Sequence, residues 1–134
     1  MAKTKVLFQV GHMRRCDRAY VEAFNRISAG EIGDPVIFKA VGRDCDPPPL
    51  SYFSSRLNAN LFLDSAIHDF DMARWLMSDE VGEVQSYCSN KTMPELKKYN
   101  DVEACVVNLR YRTGAVGNVE CYRQACYRTT FAPR

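Results

Sequence analysis

The spacing of apolar and polar residues divides this chain into short strands and two amphipathic helices. Five runs are rich in β-branched and aromatic residues, and several alternate between apolar and polar side chains, which predicts strands. These runs span residues 5–10, 36–43, 81–89, 102–112 and 115–127. The last two are separated only by Thr113-Gly114. This junction predicts a tight hairpin, because glycine readily adopts the positive φ that such turns require.

Two further segments have the three-to-four-residue spacing of apolar side chains that predicts helices. The first is expected to begin after Asp17, a good N-cap residue, and to end at Gly30, a good C-cap residue. The second spans residues 61–77. Its apolar stripe consists of Leu63, Ile67, Phe70 and Met77, with Ala66 and Ala73 alongside. Three consecutive prolines at 47–49 predict a loop between the two helices.

The order of these elements predicts an α/β fold of the α+β type. Only two residues separate the last two strands, so these strands must be antiparallel. We therefore expect a mixed, largely antiparallel sheet with the helices on one face. Residues 102–121 supply more apolar strand surface than two helices cover, which predicts an open sheet face that binds a second copy of the chain. Residues 1–134 are long enough for one domain.

Composition narrows the classes of function. The formal net charge is +2, with 25% charged and 46% hydrophobic residues, which is typical of a globular domain and favours neither nucleic acid nor a membrane as a partner. No apolar run is long enough to span a bilayer, and the first residues lack the apolar core of a signal peptide. The six cysteines have neither Cys-x-x-Cys nor zinc-module spacing. We therefore expect free thiols, no metal and a cytoplasmic location.

Residues 64–71 carry the candidate chemistry. Asp64, His68 and Asp71 are spaced at i, i+4 and i+7, so a helix would present all three on one side. Asp64 could then accept a hydrogen bond from one ring nitrogen of His68, and the other nitrogen could take a proton from an alcohol. The same spacing also fits a purely structural histidine. It fits a metal site less well, because three ligands on one helix rarely converge on one ion.

Several motifs together resemble the second domain of the glucose–fructose oxidoreductase and inositol dehydrogenase (Gfo/Idh/MocA) family, in particular its inositol dehydrogenases. The similar stretches are, in order, Val10-Gly11-His12-Met13-Arg14-Arg15, Ala29-Gly30-Glu31-Ile32-Gly33-Asp34-Pro35, Arg43-Asp44 and Asp64-Ser65-Ala66-Ile67-His68-Asp69-Phe70-Asp71. The resemblance runs from about residue 5 to about residue 127. The order and distances of these motifs are far more specific than any one of them alone.

The resemblance implies an oxidoreductase that acts on a polyol or sugar with NAD or NADP. In the family, an N-terminal Rossmann domain binds the dinucleotide and supplies a catalytic lysine. The second domain binds the substrate, and its open sheet often packs against another subunit, which implies a homo-oligomer. Asp64 and His68 match the family's catalytic aspartate and histidine. Met13 and Arg14 match a segment that lines the substrate pocket, and Asp44 belongs to a region that matches a substrate-side loop.

The chain also departs from the family pattern. It has no Gly-x-Gly-x-x-Gly loop and no Glu-Lys-Pro lysine, and Ala59-Asn60 stands where family members usually have a glycine pair. It stops at Arg134, where family members continue. We therefore expect an incomplete substrate domain that binds no dinucleotide and is inactive alone. The alternative is a non-catalytic oligomerisation domain, left after loss of the nucleotide-binding domain.

Overall fold

A four-stranded mixed sheet with helices on one face organises the chain. The computed structural model describes residues 6–9, 11–54 and 60–125. The strands are β1 (Ile37–Arg43), β2 (Val81–Ser89), β3 (Ala104–Tyr111) and β4 (Val116–Tyr122). Their order across the sheet is β1-β4-β3-β2, with β1 parallel to β4 and the other neighbours antiparallel. The predicted fold class is confirmed.

The two predicted helices begin and end close to where the sequence places them, and short helical turns accompany them. They are α1 (Arg18–Ser28), the single turn α2 (Leu50–Phe53) and α3 (Ile67–Met77), with a π-helical turn (Phe62–Ala66) directly before α3 and 3₁₀ helices at Met13–Cys16 and Pro94–Tyr99. Asp17 caps α1 by accepting a hydrogen bond from the backbone N–H of Ala19 at 2.8 Å. Gly30 follows the end of α1 with a φ of 78°. None of the helices in the described residues is long and apolar enough to cross a bilayer.

The predicted hairpin joins β3 to β4. Gly114 has a φ of 98°, and its N–H donates to the carbonyl of Tyr111 at 3.1 Å. The neighbouring Thr113 is held by Asp79, whose carboxylate accepts from the Thr113 hydroxyl at 2.5 Å and from its N–H at 3.1 Å. The hairpin is therefore fixed to the loop before β2 and sets the register between β3 and β4.

The core lies between the sheet and the helix that carries the candidate residues. Alternate side chains of β3 and β4 point to this face and are buried, as the strand pleat requires. They pack with residues of the helical segment. The core consists of Leu61, Ala66, Ala73, Cys105, Val107, Leu109, Tyr111, Val119 and Cys121. The Tyr111 hydroxyl donates to the carbonyl of Ala73 at 3.2 Å and so joins the sheet directly to α3.

Three sequence expectations need correction. Residues 6–9 are not in a strand, and Leu7 is 99% exposed, because none of the strands in the described residues lies beside them to pair with their backbone. In the second helix, Leu63 at the start of the predicted apolar stripe is 62% exposed, whereas Phe70 and Met77 pack against the core beside Ala66 and Ala73. Leu63 is out of phase because it lies in the wider π turn with which this segment starts. The segment between β2 and β3, where the sequence predicts neither a helix nor a strand, contains a 3₁₀ helix with Leu96 fully buried.

Candidate active site

Four of the five residues predicted for the site line one pocket of about 400 Å³ beside the C-terminal end of β1. These are Arg14, Asp44, Asp64 and His68. They come from three separate parts of the chain, so the fold assembles them. Met13, which is 65% exposed, is not among the side chains that line the pocket.

The carboxylate of Asp64 does not orient His68. Asp64 lies in the π turn and His68 in the following α-helix, so the i, i+4 stacking of a regular helix does not apply between them. Nδ1 of His68 is buried and has no hydrogen-bond partner among the described residues. The hydrogen bond predicted from the sequence is therefore not formed. A π turn of this kind often occurs at functional sites.

Asp64 lies instead beside two other residues. Its Oδ2 lies 3.6 Å from Nη1 of Arg123. Tyr52 is also nearby, and the pKa of its hydroxyl is raised by burial and further by the negative charge of Asp64. Asp64 thus faces a cation on one side and a phenol on the other.

Arg123 is the buried cation beneath the pocket. Its side chain is fully buried, and its Nη2 donates to Oδ2 of Asp101 at 2.9 Å. Nε donates to the carbonyl of Val102 at 3.3 Å, and the guanidinium carbon lies 5.1 Å from the centre of the Phe53 ring. Nη1 is buried and makes no hydrogen bond within the described part of the chain. The charged group beside this Nη1 atom is the carboxylate of Asp64. Arg123 therefore connects the pocket with the protein interior.

Two carboxylates before β3 fix this arrangement through the backbone. Oδ1 of Asp101 accepts from the N–H groups of Leu61 at 2.8 Å and of Val102 at 2.7 Å, so it holds the beginning of the helical segment. The carboxylate of Glu103 accepts from Thr92 and from the backbone N–H groups of Lys91 and Met93. Burial alone would raise the pKa of Glu103, but these hydrogen bonds outweigh it and lower that pKa below its usual value.

The 3₁₀ helix at Met13–Cys16 is held on α3 by two adjacent arginines. Arg15 makes a bidentate pair with Asp71, at 2.8 Å from Nε and 2.7 Å from Nη2. The hydrogen bond from Arg15 lowers the pKa of Asp71 despite its burial. Arg14 forms an ion pair with Asp69. The segment that carries Arg14 is therefore fixed to the helix that carries His68.

Asp69 lies at the inner wall of the pocket. Its Oδ1 accepts a hydrogen bond from Nη1 of Arg14, whereas its Oδ2 is buried and has no hydrogen-bond partner in the described residues. A Cβ atom at Gly42 would lie 3.1 Å from this Oδ2. Glycine at the end of β1 therefore makes room for a carboxylate whose second oxygen is left for another donor.

Asp44 is placed at the pocket edge by the sheet. Its N–H donates to the carbonyl of Tyr122 at 3.0 Å, and its carbonyl accepts from Ala125 at 2.7 Å. Its carboxylate accepts from the hydroxyl of Ser65 at 3.4 Å. The backbone at Asp44 thus continues the pairing of β1 with β4. The carboxylate contacts the π turn through Ser65.

Sequence reasoning did not select Asp69, Asp101 and Arg123 as site residues. Each contributes to the site through a contact between residues far apart in the chain, and no local spacing marks such a contact. In the part of the chain that the structure describes, no three side chains of the metal-binding types lie close enough to hold an ion. The pocket instead brings together a histidine, carboxylates and an arginine, which are groups that bind and deprotonate hydroxyls.

Comparison with known proteins gives the class to which this arrangement belongs. A sequence model of the GFO/IDH/MocA C-terminal domain matches residues 20–132. The chain therefore belongs to the GFO/IDH/MocA oxidoreductase family and corresponds to its C-terminal domain, as the sequence motifs indicated. The family assignment rests on most of the chain and not on the pocket alone.

Individual relatives narrow the comparison to inositol dehydrogenases. The chain is 40% identical over 125 residues to the myo-inositol 2-dehydrogenase of Thermotoga maritima, covering 93% of the chain and 37% of that protein. It is 38% identical over 125 residues to the scyllo-inositol 2-dehydrogenase (NAD(+)) of Bacillus subtilis, covering 93% of the chain and 36% of the relative. The chain thus spans a little over one third of the length of these relatives.

A solved structure agrees with the sequence comparison. The scyllo-inositol dehydrogenase of Lactobacillus casei with bound NAD(H) and scyllo-inositol matches with a TM-score of 0.75 at 28% identity. The match covers 91% of this chain and 37% of that one. The similarity in structure therefore extends over the same region as the similarity in sequence.

The buried ion pair beneath the pocket gives a direct test of the geometry. Replacing Arg123 with Met keeps most of the side-chain volume but leaves Asp101 buried without its cation. We expect the free energy of unfolding to fall by about 3–5 kcal/mol. Urea denaturation measures this. The matched control is Arg110→Met, which removes an exposed pair with Glu83 at 3.4 Å and should change stability by less than about 1 kcal/mol. Similarly small losses in the free energy of unfolding of both variants would contradict the buried pairing of Arg123 with Asp101.

Proposed function

We propose that this chain is the substrate-binding domain of an NAD-dependent dehydrogenase that oxidises an inositol or a related cyclic polyol. The observation that carries the proposal is the single pocket that contains Arg14, Asp44, Asp64 and His68. The names of the relatives at 38–40% identity support the substrate class. Residues 1–134 would act as one domain.

In this proposal His68 takes the hydroxyl proton of the substrate. Its Nδ1 is buried, which leaves Nε2 as the ring nitrogen that can reach a ligand. An imidazole is the side chain that most often acts as a general base towards a hydroxyl group. Since no described carboxylate contacts Nδ1, the orientation of the ring depends on packing in α3 and on the bound substrate.

The remaining pocket residues would recognise hydroxyl groups. The carboxylates of Asp44 and Asp64 accept hydrogen bonds, and the guanidinium of Arg14 donates them, so neighbouring hydroxyls on one ring can meet both kinds of partner. Arg14 is already paired with Asp69, and Asp64 lies beside Arg123. The two side chains therefore need little reordering when a substrate binds. Met13 adjoins Arg14 and remains a predicted substrate contact.

The described residues do not fit the phosphates of a dinucleotide. None of their connections from a strand to a helix is a glycine-rich turn of the kind that binds a pyrophosphate. We propose that NAD, named for the B. subtilis relative, binds to a separate domain and accepts the hydride there. This chain would then provide the proton acceptor and the hydroxyl-binding groups.

We also propose that the open face of the sheet binds a second copy of the chain. Val106 on β3 is 41% exposed, and Val116 on β4 and Ile37 and Val41 on β1 are also exposed. The face also carries polar pairs such as Asn108 with Asn118, and burial of its exposed apolar side chains would favour association. The five cysteines in the described residues are all free, which supports a reducing compartment and the cytoplasm as the location.

The chain contains two histidines, and this gives an internal control for substrate binding. In a titration of the chain with myo- or scyllo-inositol, followed by NMR, we expect the imidazole signals of His68 to shift. Nε2 of His12 lies 3.8 Å from Oδ1 of Asp71, and His12 does not line the pocket. The chemical shifts of His12 should therefore not change. The shift of His68 should be reduced in Arg14→Leu. Absence of any shift at millimolar inositol would contradict the proposed substrate class.

The role of His68 is tested by turnover in a chimera. The matched region of the B. subtilis relative is replaced by this chain, so that a nucleotide-binding domain is present. His68→Ala should lower kcat by about 100-fold or more, because proton transfer acts in the transition state. Asp64→Asn should lower it as well, because it removes the charge that faces Arg123. The control is Leu63→Ala, an exposed side chain on the same helical segment. Unchanged turnover in His68→Ala would make His68 a structural residue.

Calorimetric titration tests the separation of cofactor binding from substrate binding. We expect neither NADH nor NADPH to bind this chain with a micromolar dissociation constant, since the phosphate-binding turn is not found in its sequence. The B. subtilis relative serves as the positive control. A micromolar constant for either dinucleotide would place a cofactor site on this chain and overturn the division of roles.

Sedimentation velocity at low micromolar concentration tests self-association. We expect a species at least twice the chain mass of 15.3 kDa. Val106→Glu, on the open face, should shift it towards the monomer. Val84→Glu is the matched control, because Val84 is 64% exposed but lies on the opposite face of the sheet, in register with Leu109. A monomer in the unmodified chain, or equal effects of the two variants, would contradict the proposed interface.

A further inference from the structure

Three cysteines form a row across the sheet. Cys88 on β2 lies opposite Cys105 on β3, and Cys105 lies opposite Cys121 on β4. All three occupy the face of the sheet that faces the helices. Cys105 and Cys121 are buried, whereas Cys88, on the edge strand, is exposed. All three are free thiols, so one accessible thiol is in register with a buried one.

The backbone hydrogen bonds distinguish the two cross-strand pairs. The N–H of Arg123 donates to Glu103, and the N–H of Tyr111 donates to Ala115, each at 2.9 Å. Both bonds are in phase with the Cys105–Cys121 register, so odd-numbered residues of β3 direct their backbone groups towards β4. The backbone of Cys105 therefore points away from β2. Cys88 and Cys105 form a non-hydrogen-bonded pair.

Non-hydrogen-bonded pairs have the closer side chains. Their Cα atoms lie about 4.5 Å apart, against about 5.5 Å in hydrogen-bonded pairs. A disulfide accepts Cα separations of about 4.4–6.8 Å but needs Cβ atoms within about 4.5 Å of each other. Cys88 and Cys105 can meet both requirements with little movement of the backbone. Cys105 and Cys121 form a hydrogen-bonded pair, in which the Cβ atoms generally lie farther apart and fit a disulfide less well.

We propose that Cys88 and Cys105 are a thiol-oxidation site that closes to a cross-strand disulfide when a low-molecular-weight disulfide is the oxidant. The Cys88 thiolate attacks the oxidant, which releases one small thiolate and leaves a mixed disulfide on Cys88. The Cys105 thiol then loses its proton and attacks the Cys88 sulfur. The second small thiol leaves, and the protein bond is complete. The oxidant takes up both electrons.

The environment of Cys105 makes the closing step depend on pH. Burial raises the pKa of Cys105 to about 11, and it also raises the pKa of Cys88. The thiolate is the reactive form of cysteine. The fraction of these thiols that is ionised at neutral pH is therefore small and rises with pH. Closure is therefore expected to be slow at pH 7 and faster in alkaline solution.

The bond would connect the sheet to the segment that supports the pocket. It would close the chain around residues 89–104, which include Asp101 and Glu103. Asp101 pairs with Arg123, and Arg123 faces Asp64. Oxidation would thus connect the segment that carries Asp101 covalently to the edge strand β2.

The test uses the whole chain incubated with oxidised glutathione at pH 7 and pH 9, followed by alkylation and non-reducing peptide mapping. We expect a Cys88–Cys105 linkage that dithiothreitol removes and that forms faster at pH 9. Cys88→Ser, at an exposed position, should keep the fold and abolish the linkage. Cys16→Ser, which changes another exposed cysteine, should leave it intact. A Cys105–Cys121 linkage, a mixed disulfide that stays on Cys88, or unmodified cysteines at both pH values would overturn the proposal.

Discussion

The buried pair of Arg123 and Asp101 is the interaction on which the pocket and its surroundings depend. An unpaired guanidinium inside a protein is strongly unfavourable, so the chain must bring a carboxylate to it. Asp101 does this and also accepts hydrogen bonds from the backbone at both Leu61 and Val102. One carboxylate thereby fixes the end of the sheet, the beginning of the helical segment and the position of the cation below Asp64.

This arrangement explains why the helix begins with a π turn. Leu61 is held by Asp101 at one end of the turn, while the core contacts of Ala66 and Ala73 fix the helix farther along. The wider turn occupies the residues between these constraints. Asp64 lies in that turn and is directed to Arg123, and His68 lies beyond it. The irregular turn therefore separates the two side chains that a regular helix would have stacked.

Local signals predicted much of this structure, and contacts between distant segments supplied the rest. The Asp17 cap, the turn at Gly114 and the β2 boundaries depend on neighbouring residues, so spacing and residue type were sufficient. The proposed partnership of Asp64 and His68 also rested on spacing, but the helix start is set from Asp101, 37 positions farther along the chain than Asp64. Residues 6–9 illustrate the same limit, because a strand forms only where another strand lies beside it.

The buried polar atoms left without partners are concentrated at the pocket. In the residues that the structure describes, they are Nδ1 of His68, Oδ2 of Asp69 and Nη1 of Arg123. His68 and Asp69 line the pocket, and Arg123 faces Asp64, which also lines it. An unsatisfied buried polar group costs about 1–3 kcal/mol, and elsewhere the buried carboxylates Asp71, Asp101 and Glu103 are all paired. The unmet hydrogen-bonding capacity of the described residues is therefore concentrated around one pocket, as is expected where a fold keeps a polar site at some cost to its stability.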